Sequence, residues 1–266
     1  MKLGLGKGAA VFDRRTIPLK GVLKAILPPL PASFNVRRSF GNLQFPEGDH
    51  YGNAGEKPIG NCVAVAKYLH QMSFEAYEQG KIIPVTTEDI VNQYNAEADG
   101  YGLIMLDSAK QWRKKGLPVG RKKFLCVKYG GRCYKCHAFA SVDMIHMEEI
   151  KASIALMFGL FTGLMLPLTA QDQFNNGKIW DVVDGPGGDP GSWGGHGVYT
   201  YSYAAVNEKT DDYVLECYTW GQRQLMTRRF MLKYCDERYA VIDAANRIGS
   251  PVDEDKLESQ LIEISR

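Results

Sequence analysis

A cysteine does covalent chemistry as its thiolate, and Cys62 stands where a thiolate would be favoured. It follows Gly60-Asn61 and opens a run, Val63, Val65, Ala66, Leu69, Met72 and Phe74, spaced as a mostly apolar helix that ends near Gly80. Unpaired N–H groups and the dipole at such a helix start lower a thiol pKa. The flexible residue ahead of Asn61 lets the Cys62 N–H face a developing oxyanion. A buried structural thiol is the alternative reading of the same position. A base is offered by Gly194-Gly195-His196-Gly197-Val198, where small neighbours leave the imidazole of His196 open to a cleft at the threshold of an aromatic strand. Downstream, Tyr218-Thr219-Trp220-Gly221 ends the next strand and sets the Trp220 indole where it shields a Cys–His pair from water. Each element alone is weak; the order, Cys on a first core helix, then His on a strand, then Trp-Gly, points to nucleophilic catalysis by a thiol.

Positioning these groups takes a helical half and a sheet. Further helices are expected from Thr86 or Thr87 to Glu97, with Glu88 and Asp89 complementing the dipole, and from Asp107 or Ser108 to Lys115, closed by Gly116 and Leu117-Pro118. After residue 137 come one helix, Met147 to Phe158, and strand-like runs at Phe161–Leu166, Ile179–Val183, Gly197–Val206, Tyr213–Trp220 and Tyr239–Asp243. Helices first and strands later argue for an α+β fold, an antiparallel sheet packed on a helical half with the site between them. Residues 1–49, with five prolines and little periodicity, read as an extended basic arm ahead of a 50–243 domain. Residues 244–266 read as an acidic amphipathic tail that either docks or stays mobile.

Several motifs together resemble the papain-like cysteine peptidase superfamily: the Gly60-Asn61-Cys62 helix start, Trp193-Gly194-Gly195-His196-Gly197 and Thr219-Trp220-Gly221-Gln222. Asp13-Arg14-Arg15-Thr16 with Leu27-Pro28-Pro29-Leu30-Pro31, the middle helix Leu106 to Arg113 and the late Asp236 to Val241 are similar to its divergent branch in bacteriophage and bacterial genomes. The resemblance covers most of residues 1–243. It implies a papain-like fold, with Cys62 as nucleophile, His196 as general base and acid, and an upstream side-chain amide as second oxyanion donor. Asn53 is the candidate for that amide; it lies nine residues before Cys62, a longer spacing than the resemblance implies, so Ala54 to Ile59 would hold a short insertion. The residue that orients the His falls at Tyr218, which cannot supply a carboxamide oxygen. On a strand, positions 218 and 220 share a face, which lets the phenol approach the imidazole, while Thr219 points the other way. The implied substrate is a peptide-like amide in a viral or host protein or a cell-wall peptide, with no cofactor required. A catalytically inactive, virion-associated binding protein on the same scaffold is the competing reading.

Cys126, Cys133 and Cys136, on a 121–136 insertion turned by Gly130-Gly131, and the adjacent His137 have the donor types of a structural zinc site, with reduced thiols the simpler state. Nine basic residues and no acidic one lie between Arg113 and Lys135, a solvated face or an anion contact; without interleaved aromatics, nucleic acid is not the expected partner. A formal charge of +2 gives no global drive toward nucleic acid or membrane. Neither an apolar signal region nor a 20-residue apolar span is read, which favours a reducing cytoplasmic setting, the host cytoplasm or the virion for a phage protein. Asp184 to Gly191 reads as a mobile flap beside His196. Oligomeric state is not encoded in any of these patterns.

Overall fold

The structure is a computed structural model that describes residues 1–98, 100, 102–118, 133–143, 145–243 and 251–265. Helix α1, Cys62–Gln79, is buried at every residue from Cys62 to Ala76, which is why its sequence is apolar or small on nearly all sides. Gly80, at φ 61°, closes it in the left-handed conformation that glycine adopts without penalty. Helix α2, Thr87–Glu97, starts with a capping box in which Thr86 and Asp89 bond each other's backbone N–H. Helix α3, Met105–Lys115, begins two residues before the expected Asp107 and stops at Gly116, at φ 80°.

The polar residues inside α1 are paired. Lys67, with no side-chain exposure, donates to both carboxylate oxygens of Glu97 at 2.6 and 2.8 Å, and Ser108 Oγ donates to the same carboxylate at 2.6 Å. Burial pulls the Lys67 pKa down and the Glu97 charge opposes it. A buried pair that loses one partner leaves an uncompensated charge. Lys67→Met is therefore expected to cost about 3–5 kcal/mol, and Lys67→Met with Glu97→Leu to recover most of that, read from urea midpoints.

The sheet follows from seven strands: β1 Ser33–Asn35, β2 Ala138–Ser141, β3 Leu160–Leu166, β4 Gly194–Asn207, β5 Asp212–Thr219, β6 Gln222–Thr227 and β7 Cys235–Ile242. Their order is β6-β5-β4-β3-β7-β2, with β1 on β4, and every pairing is antiparallel. Helices α4 Met147–Leu156, α5 Leu168–Asn175, α6 Arg228–Tyr234 and α7 Glu254–Ser265 complete the α+β architecture. The register sets Leu164 opposite His196 and Gly163 opposite Gly197. A Cβ on Gly197 would lie 2.9 Å from Val63 Cγ2 and 3.1 Å from Val63 Cα, so glycine there lets the start of α1 rest directly on β4.

Two local expectations change and one open alternative is resolved. Ile179–Val183 is not a strand; only Trp180 bridges Met226. Past Trp180, whose N–H and C=O pair with Leu225 and Thr227, side chains take over from a ladder: Asp181 N donates to Gln173 Oε1 at 3.0 Å and Val182 N to Asp181 Oδ1 at 2.8 Å. The Asp184–Gly191 loop is tied down, with Gly188 O accepting from Tyr234 Oη at 2.8 Å and Gly191 N donating to Met165 O at 3.1 Å. Beyond residue 250 the chain docks: Val252 and Leu257 are buried, and Asp253 N donates to Val22 O at 2.7 Å.

Candidate active site

Cys62 is the first residue of α1, and its sulfur accepts from the Gly197 N–H at 3.4 Å. The N–H groups of Gly6 and Val63 also point at it, and the Lys7 charge acts in the same sense; all favour the thiolate. Burial outweighs them and pushes the thiol pKa up. Cys62 is only 2% exposed. Its neighbour Asn61 is locked in place by donation from Nδ2 to Tyr51 O at 2.8 Å, which fixes the chain entering the helix.

His196 precedes the glycine whose N–H touches the sulfur. Its Nε2 is hydrogen-bonded to Thr219 Oγ1 at 2.6 Å, while the buried Nδ1 has no partner. Burial lowers the imidazole pKa to about 3, so the ring is neutral in this state. With Nε2–H given to Thr219, Nδ1 carries the lone pair.

The indole of Trp220 covers the imidazole, the two rings stacked with centroids 4.2 Å apart. Trp220 has φ 47° and Gly221 φ 85°, and Thr219 pairs with Gln222 across them. Two positive φ values in a two-residue hairpin loop are the signature of a type I′ turn. A tryptophan held there costs about 1–3 kcal/mol. Stacking on His196 and donation from Nε1 to Gly4 O at 3.0 Å hold it in place.

This turn corrects the reading of the orienting position. Tyr218 does not serve the imidazole: its hydroxyl donates to Asp49 O at 3.2 Å and its ring packs against the Arg37 guanidinium, 4.5 Å away. Thr219, assigned by alternation to the opposite side from His196, is the residue that meets it. Strand alternation ends at Thr219, so the expectation that Tyr218 and Trp220 share a face fails at the turn.

Asn53 is buried, and its Nδ2 donates to Ile59 O at 2.8 Å and Gly4 O at 3.1 Å. The second contact belongs to a strap, residues 2–8, that lies along the cleft. Lys2 and Leu3 pair with Gly55 and Ala54. Gly4 N donates to Asn53 O at 2.7 Å; Gly6 N and Lys7 N donate to Gly195 O at 3.2 and 3.1 Å. Leu103 N donates to Gly6 O at 2.8 Å, and Gly8 N to Leu103 O at 2.9 Å. The strap touches Asn53, Trp220, Cys62 and the residue before His196 in turn, and glycine-rich sequence gave no sign of this.

Of the proposed zinc donors, Cys133, Cys136 and His137 lie among the described residues. Cys133 is disulfide-bonded, in place of the reduced thiol expected, and a sulfur so bonded has no thiolate to give a metal. Cys136 is buried, which drives its thiol pKa up, and His137 Nε2 lies 3.3 Å from Glu258 Oε1. Among the described residues no group of three or more His, Cys, Asp or Glu is placed to hold a metal; Cys126 and most of the basic run lie outside them. Also among the described residues, no helix is long and apolar enough to cross a membrane.

No family model and no curated protein sequence matches the chain. Solved structures do. Xylellain, a cysteine protease from Xylella fastidiosa, superposes with a TM-score of 0.62 at 16% identity, over 91% of this chain and 97% of that one. A procathepsin B from Trypanosoma congolense gives 0.59 at 12% identity over 90% and 86%. A cysteine protease from Carica candamarcensis gives 0.52 at 12% identity over 80% and 99%. At such identities the likeness is one of fold, and the fold is papain-like: α+β, with the Cys62 helix packed against the antiparallel sheet that carries His196.

Proposed function

We propose that the protein is a cysteine hydrolase that cleaves peptide-like amides, with Cys62 as nucleophile and His196 as general base and acid. The observation that carries this reading is the seating of the Cys62 sulfur on the N–H of Gly197, next in sequence to a histidine whose Nε2 is held by Thr219 and whose Nδ1 has no partner among the described residues.

In this reading His196 Nδ1 takes the thiol proton as the sulfur attacks the carbonyl carbon. The new oxyanion accepts from the Cys62 N–H and from Asn53 Nδ2, the donor now given to the Gly4 carbonyl. One such donor is worth about 3 kcal/mol in the transition state. The tetrahedral intermediate then collapses, the C–N bond breaks and His196 returns the proton to the departing amine. Water, deprotonated by His196, attacks the thioester; the acid leaves and the thiol is restored.

Thr219 is a positioning residue here. Thr219→Val is expected to lower kcat/KM roughly tenfold to a hundredfold, and Thr219→Ser to keep most of it, because the hydroxyl rather than the methyl holds the tautomer. A drop for the Ser variant as large as for Val contradicts that role.

The full burial of the thiol under the strap favours a second reading, an inactive binding scaffold. Stoichiometric reaction of Cys62 with an electrophilic thiol probe near neutral pH, faster than in the denatured chain and lost in His196→Ala, supports the hydrolase. Labelling no faster than in the denatured chain supports the scaffold.

A further inference from the structure

The strap carries one long side chain into the protein. Lys7 has no side-chain exposure; its Nζ donates to Asp236 Oδ2 at 2.8 Å and to Gly8 O at 2.9 Å, and lies 3.1 Å from Glu237 Oε1. Glu237 is 8% exposed, is held from its other oxygen by Tyr239 Oη at 2.9 Å, and Oε1 makes no hydrogen bond of its own. The room for Lys7 is made by Gly163 in the middle of β3. A Cβ at Gly163 would lie 2.4 Å from Lys7 Cε, 2.7 Å from Met105 Sδ and 2.8 Å from Glu237 Cγ. This is a slot built of a missing side chain, a thioether wall and two carboxylates at its end.

The slot opens beside the sulfur. Gly6, the residue before Lys7, lies close enough to Cys62 for its N–H to favour the thiolate, and its N–H and that of Lys7 both donate to the Gly195 carbonyl. If the strap lifts out, Glu237, whose pKa burial already raises, and the part-exposed Asp236 lose their cation and face the slot it leaves. Such a cavity favours a cation and disfavours an apolar or acidic occupant.

We propose that the Asp236–Glu237 slot is a specificity site that receives a lysine or arginine side chain of the substrate, one residue from the backbone position facing Cys62, and that Lys7 occupies it as a stand-in. The inference rests on the reading of this cleft as the one that binds peptide, and it extends that reading from peptide amides in general to basic peptides.

A binding test separates it from catalysis. Full-length protein carrying Cys62→Ala and Gly6→Ala, the second to unseat the strap, is titrated with a fluorescein-labelled Gly-Leu-Gly-Lys-Gly peptide and with the same peptide bearing Arg, Leu or Glu in place of Lys. The Lys and Arg peptides are expected to bind at least about tenfold more tightly than the Leu peptide, and the Glu peptide more weakly still. Adding Asp236→Asn and Glu237→Gln is expected to erase the difference. Equal affinity for the Lys and Leu peptides, or no binding of any of them, overturns the slot. So does a preference that survives the double amide variant. Lys7→Ala in place of Gly6→Ala gives the same ranking with the slot vacated directly, so one misfolded variant does not decide the matter. Because the nucleophile is absent, a failed slot leaves the hydrolase reading standing, and a failed hydrolase leaves this measurement unaffected.

Discussion

Gly6→Ala is expected to speed alkylation of Cys62 at pH 7 by at least about tenfold. A Cβ on Gly6 would lie 1.8 Å from Gly60 O and 2.4 Å from Gly60 C. Both are backbone atoms immediately ahead of the Cys62 helix, so neither can turn aside as a side chain would. The strap must leave its seat, and the hydrogen bonds it makes with Gly195 and Leu103 go with it. A contribution of about 1.4 kcal/mol corresponds to a factor of ten, and those bonds together exceed it. Water then reaches the sulfur and weakens the burial that raises its pKa, while the N–H groups of Gly197 and Val63 remain. In the closed chain the thiolate forms only above the ordinary cysteine value. In the open chain the alkylation profile shifts to lower pH. Gly8→Ala is the control, since the one tight contact of its Cβ would be Ile104 Cγ1 at 3.3 Å, a side-chain atom able to move, with the Leu103 O and Ile104 N backbone atoms at ordinary contact distances of 3.7 and 3.8 Å. Iodoacetamide rates from pH 6 to 10, with the adduct mapped to Cys62, read both effects. Equal rates for Gly6→Ala and Gly8→Ala contradict the closed seating.

The second large effect is loss of turnover. In the Gly6→Ala background, Cys62→Ala is expected to remove peptide hydrolysis and His196→Ala to lower kcat/KM by about a thousandfold or more. The double variant is expected to be no worse than Cys62→Ala alone, because nucleophile and base act as a unit. Strictly multiplying effects would assign His196 a separate task. Both variants should fold, since Cys62 and His196 make few hydrogen bonds that the core depends on.

Much of this arrangement was legible in the sequence. The apolar run after Cys62 reads as a buried helix and is one. Contrary to what their size suggests, the glycines around His196 do not leave its imidazole open to a cleft; the ring is buried under Trp220, and Gly197 serves close approach to Val63 instead. The segregation of helices from strands gave the α+β architecture. Thr219 was not legible, because alternation along β5 was carried one residue too far, through a turn that Trp220 enters at φ 47°. Strand β6, Gln222–Thr227, was missed because most of its residues are polar, and its place is fixed by the hairpin with β5. The strap was hidden for a different reason. Its run of glycines has no period of its own, and its fit depends on Gly60, Gly102 and Gly195, which the chain brings together only when folded. Gly102, for example, would place a Cβ 2.2 Å from Gly6 O.

The most direct test of the central claim is a single-turnover experiment on the Gly6→Ala protein with a lysine-containing peptide ester, quenched in acid and analysed by intact mass. The expected result is a transient acyl adduct on Cys62 that forms near neutral pH, decays with release of the peptide acid, and is absent in Cys62→Ala and strongly slowed in His196→Ala. Ester cleavage without any adduct on Cys62, or an adduct that forms equally fast without His196, would contradict it.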